Sequence, residues 1–188
     1  MIELKKYLNS LNLISENSWK KVETLFVKKS LNKGDYFIKE GQKAAKIAFL
    51  KKGIVRGFYR TQNGKEYNKH FFTNHSFIGG YSSLITGKTN IINQQAITDC
   101  EIIVADYDKF TSLYSSCPDV EIAARKLAEL SFVEKEQREI EIVLLDADKR
   151  YLLLREQFPN LEQFIPQYHI ASYLGITPTQ LSRIRKKL

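Results

Sequence analysis

Residues 165–188 read IPQYHIASYLGITPTQLSRIRKKL, and the order of residue types there describes two short helices joined by a tight turn. A helix-turn-helix crosses two helices steeply, so it needs apolar residues on each inner face, a small residue at the close approach and a glycine opening the turn. Ile170 and Leu174 supply the first inner face, Ala171 is the small contact residue, and Gly175 sits where a left-handed backbone costs least. Ile176 plugs the corner, while Leu181 and Ile184 hold the second helix down at three-residue spacing. That helix has a marked start. Thr177 is a good N-cap, Pro178 suits the first helical position, and Thr177-x-x-Gln180 has the form of a capping box.

The outward face of the second helix carries Pro178, Thr179, Gln180, Ser182, Arg183, Arg185, Lys186 and Lys187. Residues 177–188 hold four cations and no acid, which concentrates charge where a phosphate backbone would lie. A recognition helix enters the major groove with its N-terminal residues toward the base edges. Pro178, Thr179, Gln180 and Arg183 are therefore the candidate base readers, with Arg183 foremost because its fork bonds guanine O6 and N7 together. Gln180 has two possible roles, reading adenine or closing the capping box. Gln167, Thr177, Arg185 and Lys186 are placed for phosphates, which position a protein without specifying sequence. The plain alternative is an α-hairpin with a solvated basic end. Glycine, small residue, cap, apolar positions and basic face all in one register favour double-stranded DNA.

Working back from this stretch, Pro118 opens and Pro159 closes a region with a long helical candidate over 118–145, roughly 40 Å at 1.5 Å per residue. An apolar line runs along it through Val120, Ala123, Leu127, Leu130, Val133, Gln137, Ile140 and Leu144, with one break in heptad phase after Leu130. Spacing alone leaves two readings open: a core helix packed on the preceding domain, or a subunit interface.

Over residues 31–105 the texture is different. Short runs such as Tyr36-Phe37-Ile38, Ile47-Ala48-Phe49-Leu50, Ile54–Tyr59, Lys69–Phe72, Gln94–Ile97 and Glu101–Val104 alternate with turn signals, including Asn63-Gly64. Strands at this spacing predict a sandwich or barrel. Residues 1–30 read as helical, with Leu4, Leu8 and Leu11 and then Trp19, Val22, Leu25 and Phe26 at helical spacing. Eight of the nine glycines lie between Gly34 and Gly87 and all four prolines lie after residue 117, so the two halves are built differently.

The 188 residues are 43% hydrophobic and 12% aromatic, enough to form real cores, and disorder is disfavoured. Cys100 and Cys117 are too few for a disulfide framework or a four-thiolate cluster, which fits a reducing compartment. No secretory signal and no run of apolar residues long enough to cross a membrane is present, so a cytoplasmic location without membrane association is expected. The +8 net charge favours an anionic partner. Most of that excess lies outside the C-terminal motif, because residues 28–70 carry twelve cations and three acids. No phosphate loop, dinucleotide fingerprint, Ser/His/Asp arrangement or metal-ligand spacing stands out, and Gly79-Gly80 is too short to count. An enzyme is not expected, nor is any particular metal or cofactor.

Taken together, Lys33-Gly34-Asp35-Tyr36-Phe37-Ile38 with Glu40-Gly41, Leu50-x-x-Gly53-x-Val55, Phe77-Ile78-Gly79, Ile170–Ile176 and Leu181–Ile184 resemble the Crp/Fnr family of bacterial transcription regulators. The resemblance covers nearly the whole chain. It implies an α+β architecture: a β-roll sensor of jelly-roll-like, cyclic-nucleotide-binding type with short N-terminal helices (1–117), a long dimerisation helix (118–145) and a helix-turn-helix domain without an evident wing (146–188). It also implies a homodimer, a pseudo-palindromic operator and contact with RNA polymerase. The effector site departs from the family pattern. Cyclic-nucleotide binders carry a glutamate after the Phe-Ile-Gly glycine and, about ten residues later, an arginine followed by a small residue. Here those places hold Gly80 and Asn90-Ile91, and asparagine cannot replace a guanidinium against phosphate. Usual control by cyclic AMP is therefore not expected. Gly79, Gly80, Tyr81, Asn90 and Ile91 either line a pocket for an unknown effector or form a collapsed core. The competing reading is a cyclic-nucleotide- or other small-ligand-binding module that acts through protein contacts.

Overall fold

A computed structural model describes residues 1–187; Leu188, the last residue of the C-terminal motif, lies outside the described residues. Helices α1 (Ile2–Leu11) and α2 (Glu16–Leu25) form where the sequence places them, and Ser15 caps α2 by accepting from the Ser18 N–H at 3.2 Å. The helical reading of residues 1–30 is corrected at its end. Val27–Leu31 is strand β1, with its side chains almost wholly exposed. Nothing in the local pattern marks it, because its pairing partners, Cys100–Val104, lie 69 to 77 residues away.

The remaining strands are β2 (Tyr36–Ile38), β3 (Lys46–Lys52), β4 (Val55–Arg60), β5 (Glu66–Phe72), β6 (Ser76–Ile78), β7 (Asn93–Ala96) and β8 (Cys100–Asp106); all but β6 overlap the runs marked in the sequence. They form two antiparallel four-stranded sheets, ordered β1-β8-β3-β6 and β2-β7-β4-β5. Val55, Leu50, Ile78, Ala96, Ile102 and Val104 fill the space between them. Phe49 and Ile103 face the other way, into a cluster with Leu4, Leu8, Trp19 and Val22 of the N-terminal helices. The hairpin joining β4 to β5 turns at Asn63-Gly64, and the register shifts at Gly57/Phe58.

Short helices α3 (Tyr81–Thr86) and α4 (Tyr107–Thr111) and a 3-10 turn (Tyr114–Ser116) complete the N-terminal half. Helix α5 runs from Pro118 to Leu144, with the proline in its first turn, where a missing N–H costs nothing. It ends one residue short of the expected boundary, and Asp146 then caps α6 (Ala147–Gln157) through the Lys149 N–H at 2.9 Å. Helices α7 (Leu161–Phe164), α8 (Gln167–Leu174) and α9 (Pro178–Lys187) follow. Tyr151, Leu154, Leu161, Ile170, Leu174 and Leu181 of this C-terminal half share one apolar cluster with Phe71 of the second sheet and with Ile54 and Ile97, which flank its strands. The helical unit therefore buries part of its apolar surface against the N-terminal half as well as against itself.

Candidate nucleic-acid interface

The turn between α8 and α9 is built by local rules. Gly175 adopts φ +70°, the left-handed conformation that closes a helix, and the Ile176 N–H reaches back to the Ala171 carbonyl at 3.0 Å. Across the turn, Thr177 Oγ1 accepts from the Gln180 N–H at 3.2 Å while Gln180 Oε1 accepts from the Thr177 N–H at 2.9 Å. This is a reciprocal capping box, and it occupies the Gln180 side chain. Leu181 and Ile184 are buried, pinning α9 to the unit beneath it.

The opposite face of α9 is open. Pro178, Thr179, Gln180, Ser182, Arg183 and Lys186 are all exposed, together with Gln167 at the start of α8 and Thr177 at the turn. Among the described residues Arg183 and Lys186 make no ion pair. Arg185 lies 3.5 Å from Glu162, and Lys187 lies 2.6 Å from Asp148. The cation tethers thus come at the C-terminal end of α9, and Arg183 is the free guanidinium nearest its N-terminal half. All eight residues expected to meet DNA lie on this one unit, with Arg185 partly engaged and Gln180 held by its cap.

What sequence reasoning missed is how α8 is held. Its buried side includes His169 and Tyr173, with Ser172 half-buried, and these face β5. The rings of Tyr173 and Phe71 lie 5.3 Å apart. His169 is pushed down from the ordinary 6.5 to about 4, first by burial and then by the nearby Arg56 guanidinium. At the C-terminal end of α8, Arg138 of α5 donates to the Tyr173 carbonyl at 2.7 Å and lies over that ring at 4.0 Å. Arg150 of α6 donates to the Leu174 carbonyl at 3.1 Å. Cations suit this position because a helix leaves its last carbonyls unpaired and partly negative. The only sequence signal for these contacts is that basic residues lie within reach of a helix end, which does not say which ones.

The five residues expected around an effector do not surround one cavity. A Cβ built on Gly80 would lie 2.9 Å from Asn90 Oδ1 and 3.1 Å from both Ala44 Cβ and Ile38 Cδ1, so a larger side chain there requires Asn90 to shift and its neighbours to give way. Asn90 is buried and already bonded: its Nδ2 donates to the Lys39 carbonyl at 3.0 Å and to the Ile92 carbonyl. A Cβ on Gly57 would meet Phe72 at 3.2 Å and Ile92 at 3.3 Å, so these two side chains fill the adjoining interior. Tyr81 and Ile91 point to solvent. An open cleft of about 480 Å³ takes in Asn90 and Ile91, but its other walls are Glu40, Gly41, Thr89 and the Arg60–Gln62 end of the hairpin.

The line along α5 also divides. Val120 is 1% exposed and Ala123 fully covered, both within the chain's own core, so the expected seam does not extend to Val120. Leu127 is half-buried, and beyond it Leu130, Val133, Gln137, Ile140 and Leu144 are exposed, while Arg138 and Glu141 are half-buried against the C-terminal helices.

Comparison with known proteins places this architecture. Residues 28–117 match the family model of the cyclic nucleotide-binding domain. The c-di-GMP responsive global regulator CLP of Xanthomonas campestris is similar in structure, with TM-score 0.72 and 16% identity over 92% of this chain and 91% of that one. FixK2 of Bradyrhizobium japonicum gives TM-score 0.71 at 18% identity, covering 87% of this chain and 84% of its own. A protein assigned to the crp/fnr family of transcriptional regulators in Eubacterium rectale gives 0.72 at 16%, covering 93% and 83%. At these identities the likeness is one of fold. No curated protein sequence gives a significant match. No helix among the described residues is long and apolar enough to cross a membrane.

Proposed function

We propose that this chain, which has the fold of the Crp/Fnr regulators, is a dimeric DNA-binding transcriptional regulator not controlled by cyclic AMP in the usual way. The observation that carries the reading is α9. It is a capped helix seated by Leu181 and Ile184, and its outward face is open and basic, with Arg183, unpaired among the described residues, at the middle of the helix. In the major groove Arg183 reads guanine, Thr179 and Pro178 offer apolar contact to a thymine methyl, and Gln167, Thr177, Arg185 and Lys186 hold phosphates. Arg185 then exchanges Glu162 for phosphate. Gln180 supports the helix start and reads bases only where its cap opens.

A second copy of the chain is the natural cover for the exposed line from Leu130 to Leu144, since a free-standing apolar stripe of this kind marks an interaction site. Two α9 helices related by a two-fold axis call for a pseudo-palindromic operator, and transcriptional control calls for contact with RNA polymerase. The sensor interior argues against cyclic AMP. Position 80 is a glycine packed against Asn90, Ala44 and Ile38 and offers no carboxylate, and position 90 presents an amide committed to backbone carbonyls where a phosphate would need a cation. Titration calorimetry with cyclic AMP should register no binding in the micromolar range or tighter; a clear micromolar isotherm would remove this part of the reading. DNA selected in vitro from random sequence, followed by mobility shift, tests the rest. Arg183→Ala should lose sequence preference, whereas unchanged preference at moderate salt would remove the base-reading role.

A further inference from the structure

The contact between α8 and the second sheet contains more polar chemistry than helix packing needs. Its centre is Arg56 of β4, 5% exposed. The guanidinium grips Gln95 Oε1 through Nε at 3.1 Å and Nη2 at 2.7 Å, donates to Glu66 Oε2 through Nη1 at 2.6 Å, and presents the same Nη1 to His169 Nδ1 at 3.2 Å. Asn68 Nδ2 donates to the His169 carbonyl at 3.0 Å. Ser172 Oγ accepts from the Asn68 N–H at 3.0 Å and donates to the Glu66 carbonyl at 2.8 Å. Arg138 and Arg150 cap the other end of α8, a duty any helix C-terminus creates. Arg56 has no such duty. It is a sheet residue, and an apolar side chain would complete the sheet at less desolvation cost.

We propose that Arg56 is a positioning residue for DNA reading, which locks α8, and through the Gly175 turn α9, to the sensor sheet and so sets the separation of the two α9 helices in the dimer. The proposal rests on the reading of α9 given above. The physical reason is directionality. The apolar contact of Phe71 with Tyr173 tolerates sliding, whereas a planar guanidinium bonded to Gln95, Glu66 and His169 at once admits one pose. Neutral His169 is part of the lock, because only an unprotonated Nδ1 accepts from Arg56. Glu66 is shared with Arg60 at 2.8 Å, and Arg60 lines the open cleft, so the lock reaches the rim of the sensor domain.

The test is a spacing series. A palindromic duplex selected in vitro by the wild-type chain is compared with versions whose half-sites lie one base pair closer or further apart, each step turning one half-site by about 35° against the other. The wild type should lose about tenfold in affinity for either change, a loss the size of one mismatched pair. Arg56→Met should remain dimeric and folded yet bind all three spacings within about twofold. Arg56→Lys, which keeps the charge without the fork, should also stay relaxed. Ser172→Ala removes only two backbone contacts, keeps the fold, and should relax the preference by a smaller factor, so it carries the test if Arg56→Met does not fold. Wild-type discrimination in a folded Arg56→Met, or in Ser172→Ala where Arg56→Met fails to fold, overturns the proposal. A wild type that selects no duplex overturns the DNA reading and this proposal together. Loss of preference in Arg183→Ala alongside intact spacing discrimination in the lock variants overturns this proposal alone.

Discussion

Helices α8 and α9 are neighbours in sequence but are held by opposite kinds of interaction. The start of α9 is fixed by Thr177 and Gln180, three residues apart, and by the adjacent Gly175 turn. The pose of α8 is fixed by Arg56, Glu66 and Asn68, about a hundred positions away, and by Arg138 and Arg150 from two other helices. The form of α9 is thus set locally and its placement globally. The open basic face of α9 is carried by a helix that the rest of the molecule grips.

Removing what the two helices share should have the largest effect. Leu181 is fully buried where α9 meets the common apolar cluster, and Leu181→Ala should cost about 2–5 kcal/mol in denaturant unfolding. A cost under about 1 kcal/mol would mean that α9 is not seated as described.

Acid should separate the two helices next, because the buried histidines lie on α8 and on the strand it packs against, and none lies on α9. His169 is held down to about 4 by burial and then by Arg56, and His70, beside Phe158, is held down to about 4 by burial and then by Lys69. Both folded values lie below the unfolded one, so between about pH 6.5 and 4 the unfolded chain binds protons that the folded chain refuses. Stability is fully present above that window and falls as pH drops through it. Urea midpoints should decline from pH 7 to pH 5, with faster amide exchange along α8 and β5, and His169→Gln should flatten the decline. Midpoints independent of pH over this range would contradict the buried neutral histidines.

Smaller still is the cap. Thr177→Ala should cost about 1 kcal/mol and leave α8 exchange unchanged. Lys186→Gln should leave stability within about 0.5 kcal/mol, while lowering the salt slope of DNA binding by about 1.

The same contrast explains what the sequence made legible. The turn, the cap and the open face of α9 follow from residues within a few positions of one another, and the strands from alternation between turn residues. Strand β1 carries no strand signal of its own, because Val27-Lys28-Lys29-Ser30 has exposed side chains and gains its conformation from β8. Val120 sits on the same apolar line as Ile140, yet one is core and the other open, since spacing does not say where the N-terminal core ends along α5. The residues expected around an effector are marked only by their place in a motif. Their arrangement depends on Ala44, Ile38, Phe72 and Ile92 closing in on two glycines, which no local pattern announces.

The most direct test of the account is equilibrium binding of a selected duplex to the wild-type chain and to Arg183→Ala, read by fluorescence anisotropy against the same duplex with one guanine of each half-site replaced. The account predicts that the wild type discriminates by about 1–3 kcal/mol per replaced base pair and that Arg183→Ala, folded and dimeric, no longer does. Equal discrimination by both proteins would contradict it.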